Sequence, residues 1–569
     1  MTARTDLPHQ PDLPDSPHRP HPPYHPYLCS LLAIAAAAAL FAVAIAWGTF
    51  AAGGSDSACY LNQARLFRSG TTHIDQPLIT SAPWPAAAWT FTPAGHVPSA
   101  VNRNFIVPIC PPGLPLLMAG AGLIPCGEFL IVPLSGALAV WLTFVLGKRL
   151  DSERVGAAAA VLLACSPSVL FQVVQPMTDV PAMAWWLLAA VLAVDARPFG
   201  AGIAASIAVL TRPNLLPLAA ILFLYVGSGF SRTITRGGPA EGPPKAGPHI
   251  RAASAFFAGL APGLAALATL QTVMYGSPFA TGYGSVRNLF RAANDISNLE
   301  NYTRWFLDAH TPVLALAFAA PFVMQRRAEA WLGLAIAATT LALYLPYQVF
   351  DDWSYVRFML PALPWLIVLS VIVIDRSTRR LARARSGPVM SAIVVGLSAI
   401  WILVAYQRRA FELVQLERHF VDAGTFAAER LPANAAVVTV RHSGSVYYYS
   451  QRPTVSWDTL EPGSLDRALE FLHRQHLRPI LLLDTSEEST FRARFEAKSL
   501  IGRLDWPPFA RIGRTIRVYD PADRGPYFST AFRNLSRDSP VQLPVWETSA
   551  TRFVRFASNP SSPPSPSSR

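Results

Sequence analysis

The stretch "SLLAIAAAAALFAVAIAWGTFAAGGSDSACYLNQARLFRSG", Ser30–Gly70, joins two different kinds of chain. Its first half has no charged residue and is long enough to cross about 30 Å of hydrocarbon as a helix. It exceeds a typical signal-peptide core, and no convincing cleavage site follows, so it reads as a membrane anchor. One acid, Asp56, comes directly after it. Beyond Asp56, Ala58, Leu61, Ala64 and Leu66 fall near one helical face, with Asn62, Gln63, Arg65 and Arg68 more polar. That pattern suits a helix lying flat on a bilayer.

The rest of the composition agrees. The 569 residues are 51% hydrophobic and only 14% charged, against about 25% charged in soluble domains. The mean hydropathy is +0.30. Eleven candidate spans can be drawn, at 29–51, 129–147, 155–174, 180–195, 199–211, 214–229, 253–275, 309–325, 330–350, 357–374 and 388–406. Pro213 breaks what would otherwise be one long helix into two short ones.

The net charge of +12 then has a location. With the N-terminus inside, the inner loops hold Lys148, Arg149 and Arg154, then Arg197, then Arg232, Arg236, Lys245 and Arg251. Arg326 and Arg327 follow, and then Arg376, Arg379, Arg380, Arg383 and Arg385. This is a positive-inside distribution. No basic stripe with interleaved aromatics is present, which argues against a nucleic-acid partner. The segment 111–125 cannot be a span without moving the basic loop 376–385 outside, so it is expected to lie at the outer surface.

The expected class is a polytopic α-helical membrane protein with a small extracytoplasmic C-terminal α/β domain. Residues 1–28 form a Pro/His-rich disordered tail, and 29–406 the membrane domain with long outer loops at 52–128 and 276–308. Residues 407–550 form the α/β domain, and 551–569 a disordered tail. Within it, "AAVVTVRHSGSVYYYSQRPTVSW" alternates like strands, and "DRALEFLHRQHLRPILLLDT" reads as helix then buried strand. Of five cysteines, Cys59, Cys110 and Cys126 fall in the first outer loop. Free cysteines are the preferred reading, and a Cys110–Cys126 bridge the alternative.

Two acids and two arginines stand out on the outer side. Asp56 is either an N-cap or part of a site. Asp179, in "VVQPMTDVPAMAWW", is surrounded by apolar residues in a very short connection, where an ionisable group needs a reason. An N-cap with Pro181 in the first turn is its alternative. Arg212, in "VLTRPNLLP", has no acid near it in sequence. Arg357, in "DDWSYVRFMLPALP", either pairs with Asp351 or Asp352 or binds an anion. Arg suits phosphate because its planar fork offers parallel donors. Arg103 is a weaker candidate for the same basin. Histidines show no metal-ligand spacing, and no phosphate-binding glycine loop appears.

The order of "SDSACYLNQARLFRSG", "PPGLPLLMAG", "SPSVLFQVVQPMTDVPAMAWWLLA", "LTRPNLLPL" and "YVRFMLPALP" resembles the GT-C membrane glycosyltransferases. It is most similar to the protein-mannosyltransferase and lipid A aminoarabinose-transferase group, glycosyltransferase family 39. The resemblance covers about 30–406. It implies transfer of a sugar from a polyprenyl-phosphate donor to an extracytoplasmic lipid, glycan or protein acceptor, with inversion. It implies catalytic roles for Asp56 and Asp179, and phosphate binding by Arg212 and Arg357. It also implies a multi-pass inner-membrane location, with the N-terminus cytoplasmic. Such relatives often carry a second acid after the first; here that position is Ser57, which weakens any role needing paired carboxylates, divalent-metal binding included. No cofactor is expected. The alternative function is a transporter or flippase of a lipid-linked glycan, but no inverted repeat is visible.

Overall fold

In the computed structural model, which describes residues 27–228, 246–533 and 545–546, the first apolar run is helix α1 (Leu28–Ala46). Helix α2 (Asp56–Arg68) follows. Three short strands come next, β1 (Ile74–Asp75), β2 (His96–Pro98) and β3 (Phe105–Pro108), antiparallel in the order β1-β3-β2. After α3 (Gly113–Ala121) come α4 (Ile131–Leu150), α5 (Glu153–Ala164), α6 (Pro167–Val173), α7 (Asp179–Val194) and α8 (Pro198–Thr211). The bundle continues with α9 (Pro217–Gly227), α10 (Ala246–Tyr275), α11 (Asp295–His310), α12 (Arg327–Tyr344), α13 (Leu363–Leu381) and α14 (Ser386–Gln407). Of the expected tail at 1–28, residues 1–26 lie outside the described residues and Leu28 already opens α1; the expected tail at 551–569, and Arg232, Arg236 and Lys245, also lie outside them.

Among the described residues, α1, α4, α10 and α14 are long and apolar enough to cross a membrane. The number rises to 7 if each of three bent helix pairs counts as one span, and α7, α8 and α9 are shorter apolar helices. The stretch expected as a straight span at 309–325 is instead a 3-10 helix, Pro312–Ala319, and a short α turn that together leave α11 at 105°. Thr311 turns the chain at φ +61°, and Pro312 has no N–H with which to continue α11. Small residues let the helices close up. A Cβ on Gly202 of α8 would lie 2.1 Å from the Phe256 carbonyl of α10.

The two ends of the bundle differ. At one end the buried Asp375 of α13 faces Arg154 at 3.1 Å and Arg379 at 2.6 Å, and Arg376 faces Asp151 at 2.8 Å. At the other end sit α2, α3 and an α/β unit. That unit contains α15 (Arg418–Arg430), β4 (Ala435–Val438), α16 (Ser443–Ser450), β5 (Thr454–Val455), α17 (Leu465–Arg474) and β6 (Arg478–Asp484). It ends with α18 (Thr485–Phe495), β7 (Ala510–Ile512), β8 (Ile516–Tyr519) and β9 (Val545–Trp546). The sheet order is β5-β4-β6-β8-β7-β9, parallel across β5-β4-β6 and antiparallel at β8.

Both faces of this sheet are covered, so its central strands are apolar throughout. Ala436, Val438, Leu481 and Leu483 face one core, and Ala435, Val437, Ile480 and Leu482 the other. The first core also takes Ile74, Trp84, Phe91 and Ile106. The long loop after α2 is thus packed into the α/β unit although more than 300 residues separate them. The expected helix and strand at "DRALEFLHRQHLRPILLLDT" are α17 and β6. "HSGSVYYYS", however, is the helix α16 rather than a strand. The Ser443, Ser445 and Ser450 hydroxyls donate to the Val440, His442 and Val446 carbonyls, which anchor a helical turn where alternation pointed to a strand.

The cysteine expectation also changes. Cys59 of α2 is bonded to Cys110, and Cys126 is free and exposed. Helix α2 packs on α3, so Cys110, just before α3, comes over Cys59 with a Cα separation of 6.2 Å. Cys126 lies beyond the far end of α3. Thiol labelling of the unreduced, denatured chain should therefore count Cys29, Cys126 and Cys165 only. All five cysteines should react after reduction. Five reactive thiols before reduction would contradict the Cys59–Cys110 bridge.

Candidate active site

Asp56 is the first residue of α2, and Ser55 is the N-cap. Asp179 is likewise the first residue of α7, after Thr178. Neither acid is a cap, so the capping alternative falls for both. Each carboxylate still sits at the positive end of a helix dipole, and each faces an arginine.

Asp179 is wholly buried, and its Oδ1 lies 2.8 Å from Arg212 Nη1. The contact joins opposite charges, but no aligned hydrogen bond reaches either carboxylate oxygen or Arg212 Nη1. Arg212 reaches this place because Pro213 follows it. A residue before proline leaves the helical region, and Arg212 ends α8 at φ −149°, ψ 84°. The isolated arginine of the sequence thus has its acid, brought from 33 positions away by the α7–α8 hairpin.

Arg357 lies in a 3-10 turn, Trp353–Met359, capped by Asp352, whose Oδ1 accepts from Ser354 N at 2.8 Å. Asp351 and Asp352 are exposed, and Arg357 instead places Nη2 3.4 Å from Asp56 Oδ2. That distance is long for a charge-assisted bond, ordinarily about 2.7–2.9 Å. The two pairs meet on one ring. Arg212 lies 5.1 Å and Arg357 5.3 Å from the Phe358 centroid. Arg357 also lies 4.9 Å from the Tyr355 ring. Such cation–π contacts hold a guanidinium over a face while leaving its N–H edges available.

Several residues here carried no signal in the sequence reading. Tyr344 stacks on Phe358 at 4.5 Å, and its hydroxyl accepts from Asn214 Nδ2 at 2.9 Å. Tyr60 lies one turn after Asp56 and hydrogen-bonds Thr178 at 3.2 Å, linking the start of α2 to the start of α7. Burial, and then the charge of Asp56, push the Tyr60 phenol well above its ordinary pKa, so it stays protonated. The position four residues from a singled-out acid was the available clue to Tyr60. Phe358 was marked only by its adjacency to Arg357.

The expected flat helix has a different environment from the one read. Asn62 and Gln63 are buried, not water-facing, because the α/β unit and α3 cover α2 on its polar side. Arg103 stands exposed in the turn before β3, and none of the contacts joining the four charged residues involves it. Among the described residues, no group of three His, Cys, Asp or Glu is placed to hold a metal ion.

No protein-family model and no curated protein matches the chain. Solved structures do. The chain is similar to ArnT from Cupriavidus metallidurans in the apo state, with TM-score 0.52 and 13% identity over 82% of this chain and 94% of that one. It is similar to the same protein bound to undecaprenyl phosphate, with TM-score 0.51 and 12% identity over 83% and 95%. At these identities the likeness is one of fold.

The buried pair gives a test that needs no substrate. Arg212→Met strands a buried carboxylate and should cost about 3–5 kcal/mol of stability. The double variant Arg212→Met/Asp179→Leu should recover most of that loss in unfolding of the solubilised protein. Equal losses in the single and double variants would show that the pair is not coupled.

Proposed function

On the GT-C fold that this helical membrane protein carries, we propose a glycosyltransferase that moves a sugar from a polyprenyl-phosphate donor to an extracytoplasmic acceptor, with inversion. One observation carries the reading. Two arginines share the Phe358 ring at one end of an apolar bundle, each facing a carboxylate, with hydrogen-bonding capacity left unused at Arg212 Nη1 and Arg357 Nε. That is a pair of guanidiniums beside hydrocarbon, each balanced by an acid, suited to a phosphate on a lipid tail. The similar ArnT has been solved with undecaprenyl phosphate.

The reaction follows from the residue types. An acceptor hydroxyl oxygen attacks the anomeric carbon while Asp56 takes its proton. The bond from that carbon to the phosphate oxygen breaks, and the electron pair leaves with the polyprenyl phosphate. Arg212 and Arg357 stabilise the departing anion. A phosphate is a good leaving group, so a general acid is less needed. Asp56 suits the proton transfer because its side chain is 40% exposed, whereas that of Asp179 is 0% exposed. We assign Asp179 to holding Arg212. Arg357 is held to Asp56 by one long contact, and a donor phosphate that takes this arginine frees Asp56 to accept a proton.

The same reading sets the orientation. A Cys59–Cys110 disulfide belongs to an oxidising compartment. It lies in the same helix as Asp56, at the end that carries the α/β unit. That end is therefore proposed as extracytoplasmic, with eleven crossings, a cytoplasmic N-terminus and an inner-membrane location. The sugar is a hexose or a pentose, and loops 71–105 and 276–308 are proposed to face the acceptor.

Asp56→Asn should abolish transfer in a panel of polyprenyl-phosphate sugars while the folded yield stays at the wild-type level. Full activity in that variant would remove Asp56 from the mechanism. Reporter fusions after residue 410 should report an extracytoplasmic location. A cytoplasmic signal would put the basin on the wrong side for this chemistry.

A further inference from the structure

We propose that helix α16 of the α/β unit is the brace that sets the position of Asp56, so that this unit is part of the catalytic apparatus; the inference rests on Asp56 acting as the base. The local chain does not fix that residue. Gly53 and Gly54 precede it, and Gly54 adopts φ +56°. Two glycines leave the entry to α2 soft. Its position has to be imposed from outside.

Besides the disulfide and the Tyr60–Thr178 bond, which lie after the acid, contacts from α16 reach the chain on both sides of Asp56. Before the acid, the Tyr449 hydroxyl accepts the Ala52 N–H at 3.1 Å. After it, Gly444 lies so close to α2 that a Cβ there would be 3.0 Å from the Ala58 Cβ and 2.8 Å from the Ala94 carbonyl oxygen. The Gly444 carbonyl accepts from Asn62 Nδ2 at 3.3 Å, one turn further along α2. Ser443 Oγ accepts from Ala94 N at 2.9 Å and so fixes the loop on which α2 rests. The buried Asn62 in an otherwise amphipathic pattern is explained by this contact.

None of these groups touches the Asp56 carboxylate. Helix α16 acts through the α2 backbone, and Tyr449 and Gly444 are positioning residues. The Asp179–Arg212 pair belongs to α7 and α8 and is not held by α16. A disturbed brace should therefore slow the proton transfer and leave phosphate binding intact. Misplacing a reacting group by about 1 Å can cost about a hundredfold in rate.

The test uses the full-length chain in lipid nanodiscs, with Tyr449→Phe and Gly444→Ala. Each variant should lower kcat about tenfold or more with the sugar donor that the wild type uses. The dissociation constant for undecaprenyl phosphate should stay within about twofold of wild type, and amide exchange over residues 52–59 should quicken. An unchanged kcat in Tyr449→Phe would overturn the proposal. So would a parallel loss of kcat and undecaprenyl-phosphate binding, which is what a general structural role predicts. Should Gly444→Ala fail to fold, Tyr449→Phe decides alone. The amide-exchange arm separates the two readings. If Asp56→Asn keeps full activity, the catalytic role of Asp56 fails while quickened exchange still establishes the brace. If Asp56→Asn is inactive and both brace variants behave as wild type, only the brace fails.

Discussion

The ion pair between Asp179 and Arg212 is the constraint around which this end of the molecule is arranged. A carboxylate with no exposed surface, at the start of an apolar helix, is expensive unless a cation meets it. The cation arrives through a break in the chain, since Arg212 leaves α8 only because Pro213 ends the helix. The short lengths of α7, α8 and α9 follow from this. A continuous helix through 198–227 would be a better span, but it would carry Arg212 on its side rather than at a terminus. From Arg212 the arrangement extends outward through shared contacts: Phe358 beneath the guanidinium, Arg357 over the same ring, and Asp56 opposite Arg357. The more distant acid is thus tied to the buried one through an aromatic ring.

The second constraint is that α2 is anchored from every direction except that of Asp56. The disulfide fastens it towards α3, and α16 covers its polar side. Tyr60 ties its first turn to Thr178. The loop from β1 to β3 extends the same support, because Ile74, Phe91 and Ile106 enter the core beneath the parallel strands. In the packing, loop and α/β unit form one body resting on the bundle. This also accounts for the two-sided burial of β4 and β6, with α15 and α16 covering one face of the sheet and α17, α18 and the loop the other.

The apolar runs and the charged residues were readable because each is a local departure from its surroundings. Asp56 and Asp179 stand out as acids at the edges of apolar runs, and Arg212 as a cation with no acid near it in the chain. Which acid meets which arginine was not readable, since Asp56 and Arg357 are 301 positions apart. Sequence proximity offered Asp351 or Asp352 to Arg357, but both are exposed and Asp352 is already used in capping the turn that carries it. The cysteine pairing failed for the same reason. Cys110 and Cys126 are close in sequence, but α3 stands between them. At α16, a run of three tyrosines at 447–449 reads as strand by composition. The side chain–backbone bonds of the serines around it favour a helix, and tertiary contacts with His96, Arg65 and Ala52 give those tyrosines partners.

The burial of the two acids separates their roles in the proposed reaction. A base has to exchange its proton with something, and a carboxylate sealed beside a guanidinium in apolar surroundings has no route by which to do so. It does have a use as a fixed countercharge. Arg212 in hydrocarbon without Asp179 would be too costly to keep in place for an anion that arrives and leaves. With Asp179 the pair is already neutral. Asp56 is in the opposite condition: half-open, at the end of a glycine pair, and held by one long contact. Such an acid is free to change its partner during a reaction, provided that its backbone does not move. In this chain the acid nearest the water and the helix supporting it come from opposite ends of the sequence, which makes the α/β unit part of the site.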